Sequence, residues 1–414
     1  MSNTPQKTIL HVDMNSYFAT MLQQENPKLR GRPIGVVKDV GRTCIIAASK
    51  EAKAMGVRTG SRLKEIRDLC PNLLCVPAAF ERYLDATRRL KTIFTRISPD
   101  VFIYSLDEAF IDLTHCLHYL YSDPLIVAKR IQQMVFQELG EWVTCNVGIS
   151  HNRLLAKLGS GIAPKGTIFT IDEHNKDAIL AQAPFSEVCG IGARLEKKLR
   201  LLGVTTPYQI RFYTEEQLLP VFGPFWAKEL GHIAYGEESH TLRLVDHQPT
   251  HMKSVGRSIT GYKLCKDETT KKMILLNLIE EVTYKTRQMQ LAGRQVWIGL
   301  YGHNQGWSAH KTLKQYIRHT SEMFDIAYHQ LYQSQLPQFP VIKFAVRLSL
   351  MRKAELTPRS LFDPEEKREK LSHSLDAITQ KYGLFTVKPS TMLTHKVFRP
   401  EVTGFLGDRQ YYKL

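Results

Sequence analysis

The sequence predicts an α+β protein of several domains, with a ferredoxin-like sheet in its N-terminal half. Its length indicates more than one domain, because 414 residues with 43% hydrophobic content suffice for two to four separate cores. Apolar strands and amphipathic helices follow one another up to about residue 171. A polar stretch, "RLVDHQPTHMK" at residues 243 to 253, then separates the first part of the chain from a basic C-terminal segment.

The N-terminal half contains the strands and helices of one sheet in a recognisable order. "TILHVDMNSYFA" predicts a strand that ends near Asp13 and is followed by a helix. "SPDVFIYSLDEAFIDLT" predicts a β-hairpin, a helix follows Pro124, and "TCNVGIS" predicts another strand. This βα and ββαβ order is typical of a ferredoxin-like sheet. A small basic region, residues 26 to 79, interrupts it with a buried strand and a short helix that Gly56 stops.

The remaining sequence predicts a helical domain, a basic α+β domain and a tail. "VCGIGARLEKKLRLLGVTTPYQI" begins the helical domain, which runs to about residue 247. Strands such as "RQVWIGLYG" and "VIKFAVRLSL" alternate with helical stretches beyond the linker. In the tail, "DPEEK" provides an N-cap residue, a first-turn proline and acidic residues, so it predicts the start of a helix that ends near Gly383.

The charge balance of the chain indicates a polyanionic partner. The sequence has 56 Lys and Arg against 40 Asp and Glu, a net charge of +16. From Lys253 to Arg359 there are 17 basic and 7 acidic residues, a surplus of ten. No run of eighteen apolar residues and no signal-peptide pattern appears, so we expect a cytoplasmic protein without a membrane span.

The seven cysteines form no CxxC pair, which argues against a structural zinc site or a disulfide framework. One local cluster, His115-Cys116-Leu117-His118, contains nitrogen and sulfur ligands that zinc accepts. No second group of ligands follows at a zinc-like spacing. The simpler interpretation is a polar loop after a strand.

Two adjacent carboxylates, Asp107 and Glu108, lie in the middle of an apolar stretch. A flat strand would point them to opposite faces, whereas a turn at Leu106-Asp107-Glu108 would direct both the same way, with Asp13 beside them on a neighbouring strand. Three clustered carboxylates repel one another unless divalent cations neutralise them, and hard oxygen ligands select magnesium or manganese. Two such ions about 3.5–4 Å apart would suit a phosphoryl transfer. The alternative is a solvated turn.

Four stretches of the sequence together resemble the motifs of the Y-family, or lesion-bypass, DNA polymerases. They are "HVDMNSYFA", "IYSLDEAFIDLT", "NVGISHNRLLAKL" and "VCGIGARLEKKL", in that order. The resemblance covers about residues 8 to 360. Two further stretches, "EAKAMGV" and "LFDPEEK", look closer to the UmuC branch of the family than to the DinB branch.

The resemblance implies a right-hand polymerase whose domains can be assigned along the chain. We expect a palm (1–16 and 80–171), fingers (17–79), a helix-hairpin-helix thumb (172–247), a linker (248–251), a basic little finger (252–353) and a tail with one helix (354–414). The implied activity is template-directed, low-fidelity addition of deoxynucleotides to a primer, including across damaged DNA, by a monomer that uses two Mg²⁺ ions, or Mn²⁺. The rival interpretations are a nucleotidyl cyclase and a non-catalytic DNA-binding protein with a degenerate palm.

The resemblance also implies roles for individual residues. The metal-binding and catalytic carboxylates would be Asp13, Asp107 and Glu108, with the carbonyl of Met14 assisting one ion. The residues implied for nucleotide binding are Tyr17, Phe18, Lys50, Lys53, Lys157 and Lys165. Phe18 would be the steric gate that excludes a 2′-hydroxyl, or else an ordinary core aromatic. Those implied for DNA binding are Gly190, Gly192, Lys253 and Arg257.

Some of these positions differ from the family pattern, and one further stretch resembles a binding motif. The family commonly has a Tyr and, three residues later, an Arg at the positions of Lys50 and Lys53, so charge is kept while the planar fork of Arg is lost. "APKG" shortens the usual "AKPNG", so Lys165 replaces the phosphate lysine only approximately. Leu361-Phe362 resembles the apolar anchor by which such polymerases bind a sliding clamp, or packs as the hydrophobic lead-in to the capped helix.

Overall fold

The computed structural model describes residues 7–38, 44–66, 68–117, 123–239, 242, 252–358 and 365–392. Described residues up to 242 belong to one compact unit, and those from 252 onward belong to a second. The predicted linker, 248–251, lies outside the described residues, as do Leu361 and Phe362. The boundaries assigned to palm, fingers, thumb and little finger stay predictions.

The described part of the first unit contains two β-sheets and nine α-helices. Its strands are β1 (Ile9–Met14), β2 (Ile34–Val37), β3 (Ile45–Ala48), β4 (Leu74–Pro77), β5 (Val101–Ile103), β6 (Glu108–Asp112), β7 (Cys145–Ser150) and β8 (Ile168–Thr170). Its helices are α1 (Tyr17–Glu25), α2 (Lys50–Ala54), α3 (Leu63–Ile66), α4 (Phe80–Thr95), α5 (Pro124–Leu139), α6 (Arg153–Ile162), α7 (Lys176–Gln182), α8 (Ala193–Leu201) and α9 (Glu215–Ala234).

The larger sheet has the strand order β5-β6-β1-β7-β8, with β1 at its centre and antiparallel to both neighbours. Strands β5, β6 and β7 follow β1 in the chain, so the first four strands in this order have the ferredoxin-like arrangement. The predicted sheet is therefore confirmed. Strand β8 extends it by pairing parallel to β7. The smaller sheet has the order β3-β2-β4 and comes from the inserted region between α1 and α4.

Helix α6 lies on the central strands of the larger sheet because a glycine lets it approach. A Cβ at Gly148 of β7 would lie 1.9 Å from the carbonyl oxygen of Ala156, so any side chain there would separate α6 from the sheet. The helix starts where the side chain of Asn152 accepts a hydrogen bond from the backbone N–H of Leu155, at 2.9 Å.

In the inserted region, a short helix starts at a capped serine. The side chain of Ser49 accepts from the backbone N–H of Ala52 at 3.3 Å, so α2 begins at Lys50. The helix ends before Gly56, which has φ of 90°, as predicted. Buried apolar side chains, among them Val37, Ile45 and Ile66, form a separate small core for this region.

The second unit is a four-stranded antiparallel sheet with helices packed on it. Its elements are β9 (Ser254–Cys265), α10 (Glu268–Gln288), β10 (Leu291–Tyr301), β11 (Gly306–Ile317), α11 (Thr320–Phe324), a π-helical stretch (Asp325–Tyr332), α12 (Gln333–Gln335), β12 (Val341–Ser349), β13 (Arg352–Lys353) and α13 (Glu365–Tyr382). The strand order is β11-β10-β12-β9. The predicted strands and tail helix are confirmed, and Gly383 follows α13 with φ of 94°.

Helix α13 is attached to the helical side of the second unit mainly by polar contacts. The guanidinium of Arg287 donates to both oxygens of Asp376, at 2.9 and 2.7 Å, and Arg318 pairs with Glu369. Among the helices that the structure describes, none is both long and apolar enough to cross a membrane. All seven cysteines have free thiols. His118 of the candidate zinc cluster lies outside the described residues.

Candidate active site

The strand register brings the predicted carboxylates together. Asp13, at the end of β1, pairs with Glu108, the first residue of β6. Asp107 lies in the turn between β5 and β6, and its carbonyl accepts a hydrogen bond from the backbone N–H of Met14 at 2.9 Å. The chain therefore turns before Glu108, so Asp107 and Glu108 do not lie together on one flat strand.

Asp13 and Asp107 line a cavity of about 330 Å³, which we call the carboxylate cavity. Its walls come from β1, α1, β3, α2 and the β5–β6 turn. The lining residues are Asp13, Met14, Ser16, Tyr17, Phe18, Ile46, Ala47, Ala48, Lys53, Thr59, Tyr104, Ser105, Leu106, Asp107 and Lys165. The cavity thus combines acidic, basic and aromatic side chains from segments far apart in the sequence.

The carboxyl groups of Asp13 and Asp107 lie in a buried environment that disfavours their ionised forms. Burial, together with the nearby carboxylates of Glu108 and Asp107, raises the pKa of Asp13 to about 7. Burial also raises the pKa of Asp107, although a hydrogen bond from the Ser105 hydroxyl opposes the shift. A bound cation would oppose both of these pKa shifts, because it would stabilise the ionised form of the two carboxyls.

Glu108 has a different environment, since its carboxylate is turned toward two groups of the protein. Lys157 donates to Oε2 of Glu108, and Nε2 of His11 lies 3.5 Å from the same oxygen. Burial alone would raise the pKa of Glu108, but His11 and Lys157 outweigh it and lower the pKa to about 2. Burial lowers the pKa of His11 to about 4, so its ring is neutral at pH 7.

This orientation of Glu108 explains why the carboxylates do not form a ready-made metal cage. Within the described ranges, no three acidic, His or Cys side chains converge closely enough to hold a metal ion. Asp13 and Asp107 face the cavity, whereas Lys157 holds Glu108. A cation that used all three carboxylates would have to replace this lysine.

The aromatic residues of α1 form one wall of the cavity. The ring of Phe18 stacks on Tyr83, with centroids 4.3 Å apart and planes 6° apart, and 9% of Phe18 is exposed. Tyr17 is also buried, and its hydroxyl donates to the carbonyl of Tyr83 at 2.7 Å. Tyr17 therefore contributes ring surface, while its hydroxyl is engaged away from a ligand.

The two lysines of α2 point to different places. The ammonium of Lys53 lines the carboxylate cavity and donates to the Ser16 hydroxyl at 3.0 Å. Lys50 is not among the residues lining the cavity, and its ammonium lies 4.5 Å from the ring centroid of Trp142. Of the two lysines implied for nucleotide binding, Lys53 therefore faces the cavity, whereas Lys50 has Trp142 as a cation–π partner. Lys165 also lines the cavity, and its role in nucleotide binding stays a prediction.

The predicted thumb turn has the backbone that a helix-hairpin-helix requires. Gly190 has φ of 98°, a conformation that favours glycine, and Gly192 precedes the first residue of α8. Gly192 is exposed and supplies no side chain to cap the helix. The exposed start of α8 therefore presents backbone N–H groups to solvent, where an anion can approach.

The second unit has a sheet face that we call the open face. On this face, basic side chains of one strand lie beside aromatic side chains of the next. Arg347 of β12 pairs with Trp297 of β10, and its guanidinium lies 5.0 Å from the indole centroid. Lys343 pairs with Tyr301 in the same manner, at 5.6 Å. Because alternate residues of a strand share one face, these four side chains form two parallel rows suited to a polyanion.

Of the two DNA-binding residues predicted in this unit, one is corrected by the structure. Lys253 is exposed, as expected. Arg257 is 7% exposed, and its Nε donates to Oε2 of Glu281 on α10 at 2.7 Å. The side chain points to the helical side of the sheet, because its neighbours Gly256 and Ser258 occupy the exposed positions of β9. Arg257 therefore serves the interior of the unit and is not presented to DNA.

Sequence reasoning missed several residues of these sites. His11, Tyr104 and Ser105 were not singled out, although the period-two pattern of β1 could have placed His11 on the same face as Asp13. The open face was also missed. The alternation in "RQVWIGLY" and "VIKFAVRLS" could have indicated that Trp297 and Arg347 lie on one side of the sheet.

Comparisons with known proteins match both units. Residues 12–161 match the model of the impB/mucB/samB family, and residues 252–361 match the model of its C-terminal domain. The chain belongs to the impB/mucB/samB family. A relative named DNA polymerase IV from Pelotomaculum thermopropionicum is 30% identical over 395 residues, covering 93% of this chain and 95% of the relative. Another protein of that name, from Gluconobacter oxydans, is 32% identical and covers 70% of this chain and 80% of its own length.

The fold also matches a solved structure. A Y-family DNA polymerase chimera has a TM-score of 0.71 and 22% sequence identity, covering 83% of this chain and 98% of that chain. At this identity the match establishes the fold, and together with the family models it confirms the resemblance inferred from the sequence motifs. The preference for the UmuC branch stays a prediction.

Proposed function

We propose that this protein is a template-directed DNA polymerase that adds deoxynucleotides to a primer 3′ end and copies damaged templates. The observation that carries the proposal is the carboxylate cavity, whose lining combines Asp13 and Asp107 with Lys53 and Lys165. Carboxylates that gather cations and lysines that attract phosphates are the two requirements of nucleotidyl transfer. Membership of a family whose relatives are named DNA polymerase IV supports the same activity.

Two divalent cations fit the donor set of this site. Asp13 and Asp107 offer hard oxygen ligands of the kind that Mg²⁺ and Mn²⁺ prefer, and burial raises the pKa of each carboxyl, a shift that a bound cation would oppose. Glu108 and the carbonyl of Met14 would complete the ligands. When bound, such ions stabilise the charge on the attacking and leaving oxygens of a phosphoryl transfer.

The side chains of the chain itself would position the nucleotide. Lys53 and Lys165, which line the same cavity as the acids, would attract the triphosphate. The ring of Phe18, held flat against Tyr83, provides a wall beneath the sugar that leaves no space for a 2′-hydroxyl. Lys157 pairs with Glu108 and is close enough to the carboxylates to move to a phosphate or the primer end.

Tolerance of damaged templates is supported by the small side chains along one wall of the cavity. Ala47 and Ala48 of β3, beside Ile46, line the cavity where bulkier residues would restrict the shape of a base pair. A pocket that tests base-pair shape weakly accepts distorted pairs, and it therefore also discriminates poorly between correct and incorrect nucleotides.

Primer-template DNA would be held through its backbone. The start of α8 at Gly192 offers N–H groups to a phosphate, and Lys343 and Arg347 on the open face supply positive charge. These contacts require no particular base, so binding should depend steeply on salt. A nucleotidyl cyclase would have no use for either surface, which favours the polymerase over that alternative.

Primer extension with purified protein tests the proposal. Wild-type protein should extend a labelled primer by template-directed additions in Mg²⁺, and Asp107→Asn should abolish incorporation while leaving affinity for primer-template DNA unchanged. Cyclic nucleotide formation instead would indicate a cyclase. DNA binding without incorporation by the wild-type protein would indicate a non-catalytic binder and contradict the proposal.

Leu361 and Phe362 lie outside the described residues, and both interpretations of them stay open. As a clamp anchor, the pair would stimulate synthesis only when a sliding clamp is present. The double substitution Leu361→Ala, Phe362→Ala should then remove clamp-stimulated synthesis and spare basal extension. Loss of basal extension would favour a packing role at the start of α13.

A further inference from the structure

The imidazole of His11 lies between the packed interior and the carboxylate of Glu108. Its side chain is 1% exposed, and its ring centroid lies 4.6 Å from that of Phe110, its cross-strand neighbour. On one side Nδ1 is 2.6 Å from the hydroxyl oxygen of Ser160, and on the other Nε2 is 3.5 Å from Oε2 of Glu108. Because packing restricts the rotation of this ring, each of its two nitrogens faces one fixed partner.

The partners of the ring determine which nitrogen carries the proton. A carboxylate only accepts hydrogen bonds, so a favourable contact requires N–H at Nε2, facing Glu108. Nδ1 then carries the lone pair and faces the buried Ser160 hydroxyl at 2.6 Å, whose single proton is shared with the carbonyl oxygen of Lys157 at 2.9 Å. Ser160 thereby holds the ring from the Nδ1 side, while the carboxylate of Glu108 favours the tautomer with N–H at Nε2.

The contact between His11 and Glu108 is incomplete in the arrangement where Lys157 is bound. At 3.5 Å it is about 0.5 Å longer than an ordinary N–H···O bond, and Nε2 is a buried atom without a hydrogen-bond partner among the described residues. Lys157 and His11 both address Oε2. If the ammonium of Lys157 moved to a phosphate, the carboxylate of Glu108 could move closer to Nε2 of His11. Packing holds the His11 ring in place, so the ring would remain available for this contact.

We propose that His11, oriented by Ser160, is a positioning residue that keeps Oε2 of Glu108 turned inward and leaves Oε1 for a divalent cation. This inference rests on the proposed function, since it takes Glu108 to be a metal ligand. His11 touches neither nucleotide nor metal in this scheme. It acts by removing the freedom of one carboxylate, as partners of metal ligands commonly do.

Three variants test the role of His11. His11→Phe keeps a ring against Phe110 and removes both nitrogens, Ser160→Ala removes the hydroxyl that holds Nδ1, and His11→Gln restores an N–H donor. We expect Mn²⁺ affinity, measured by electron paramagnetic resonance without nucleotide, to fall about tenfold in His11→Phe, because such partners typically contribute 10- to 100-fold. Ser160→Ala should have a smaller effect in the same direction, and His11→Gln should recover part of the loss.

The readouts separate positioning from packing. Half-saturating Mg²⁺ in single-nucleotide insertion should rise in His11→Phe in parallel with the loss of Mn²⁺ affinity, while the KM for the nucleotide at saturating metal stays unchanged. Unchanged metal affinity in both His11→Phe and Ser160→Ala would overturn the inference, whatever their melting temperatures. If His11→Phe does not fold, Ser160→Ala and His11→Gln decide the question by the same measurements.

The inference and the proposed function fail in distinguishable ways. A wild-type protein that binds Mn²⁺ but extends no primer would reject the polymerase proposal, and the effect of His11→Phe on Mn²⁺ binding would still be measurable. Conversely, a protein that extends primers with the same metal dependence in wild-type and His11→Phe would keep the polymerase and reject the role of His11.

Discussion

Helix α2 provides a matched pair of lysines for testing how the protein holds a triphosphate. Lys53 and Lys50 lie one helical turn apart, yet Lys53 faces the carboxylate cavity and Lys50 lies against Trp142. We expect Lys53→Ala to raise the KM for the incoming nucleotide and Lys50→Ala to leave it unchanged. Because both variants remove the same side chain from the same short helix, nonspecific effects on α2 should be similar.

The size of the effect follows from the environment of Lys53. Burial lowers the pKa of its ammonium, and the charge of Lys165 lowers it further, so Lys53 gains from a nearby anion. A hydrogen bond between charged groups contributes about 1.5–3 kcal/mol. Since about 1.4 kcal/mol corresponds to a factor of ten, the KM should rise about 10- to 150-fold. Lys50→Ala should instead cost about 0.5–1 kcal/mol of stability from the lost cation–π contact.

The assay is single-nucleotide insertion at saturating metal and primer-template, with KM and kcat determined for each variant. Lys53→Arg should keep or improve incorporation, because a guanidinium binds phosphate in a bidentate manner. Equal changes in KM for Lys50→Ala and Lys53→Ala would refute the assignment of separate roles. An unchanged KM in Lys53→Ala would refute the phosphate-binding role of this helix.

Three further predictions concern the gate, the acids and the second unit. Phe18→Ala should admit ribonucleotides, so the ratio of ATP to dATP insertion opposite T should rise, and an unchanged ratio would assign the gate to another residue. The pKa of Asp13 is raised to about 7 from 3.8 in the unfolded chain, so its contribution to stability is complete below pH 4 and lost as the pH rises to 7. Asp13→Asn should therefore raise the melting temperature of the metal-free protein at pH 8, by an amount that shrinks toward pH 4. A change in melting temperature that does not depend on pH would contradict this. Arg257→Ala should destabilise the protein by about 3–5 kcal/mol in urea unfolding, because the buried carboxylate of Glu281 loses the guanidinium that neutralises it. Lost DNA affinity at full stability would restore the surface role.

Much of the catalytic centre follows from local sequence patterns. The apolar strand that ends at Asp13 and the hairpin that turns at Asp107 are local features, and the ferredoxin-like order brings the two strands side by side. The period of two then fixes which side chains share a face with Asp13. For this reason the placement of Asp13 beside the hairpin that contains Asp107 and Glu108 could be predicted from the sequence, whereas the partners of Glu108 could not.

The tertiary structure decided which partner each basic side chain contacts. Lys50 and Lys53 have the same spacing that brings two residues onto one helix face, but Trp142, far along the chain, draws one of them away. Arg257 belongs to a basic segment, yet its position on β9 turns it inward to Glu281. Likewise, the sequence contains no indication that Lys157 and His11 address one oxygen of Glu108. Long, flexible charged side chains respond to whichever group packing brings within a few ångströms, and local periodicity carries no information about that group.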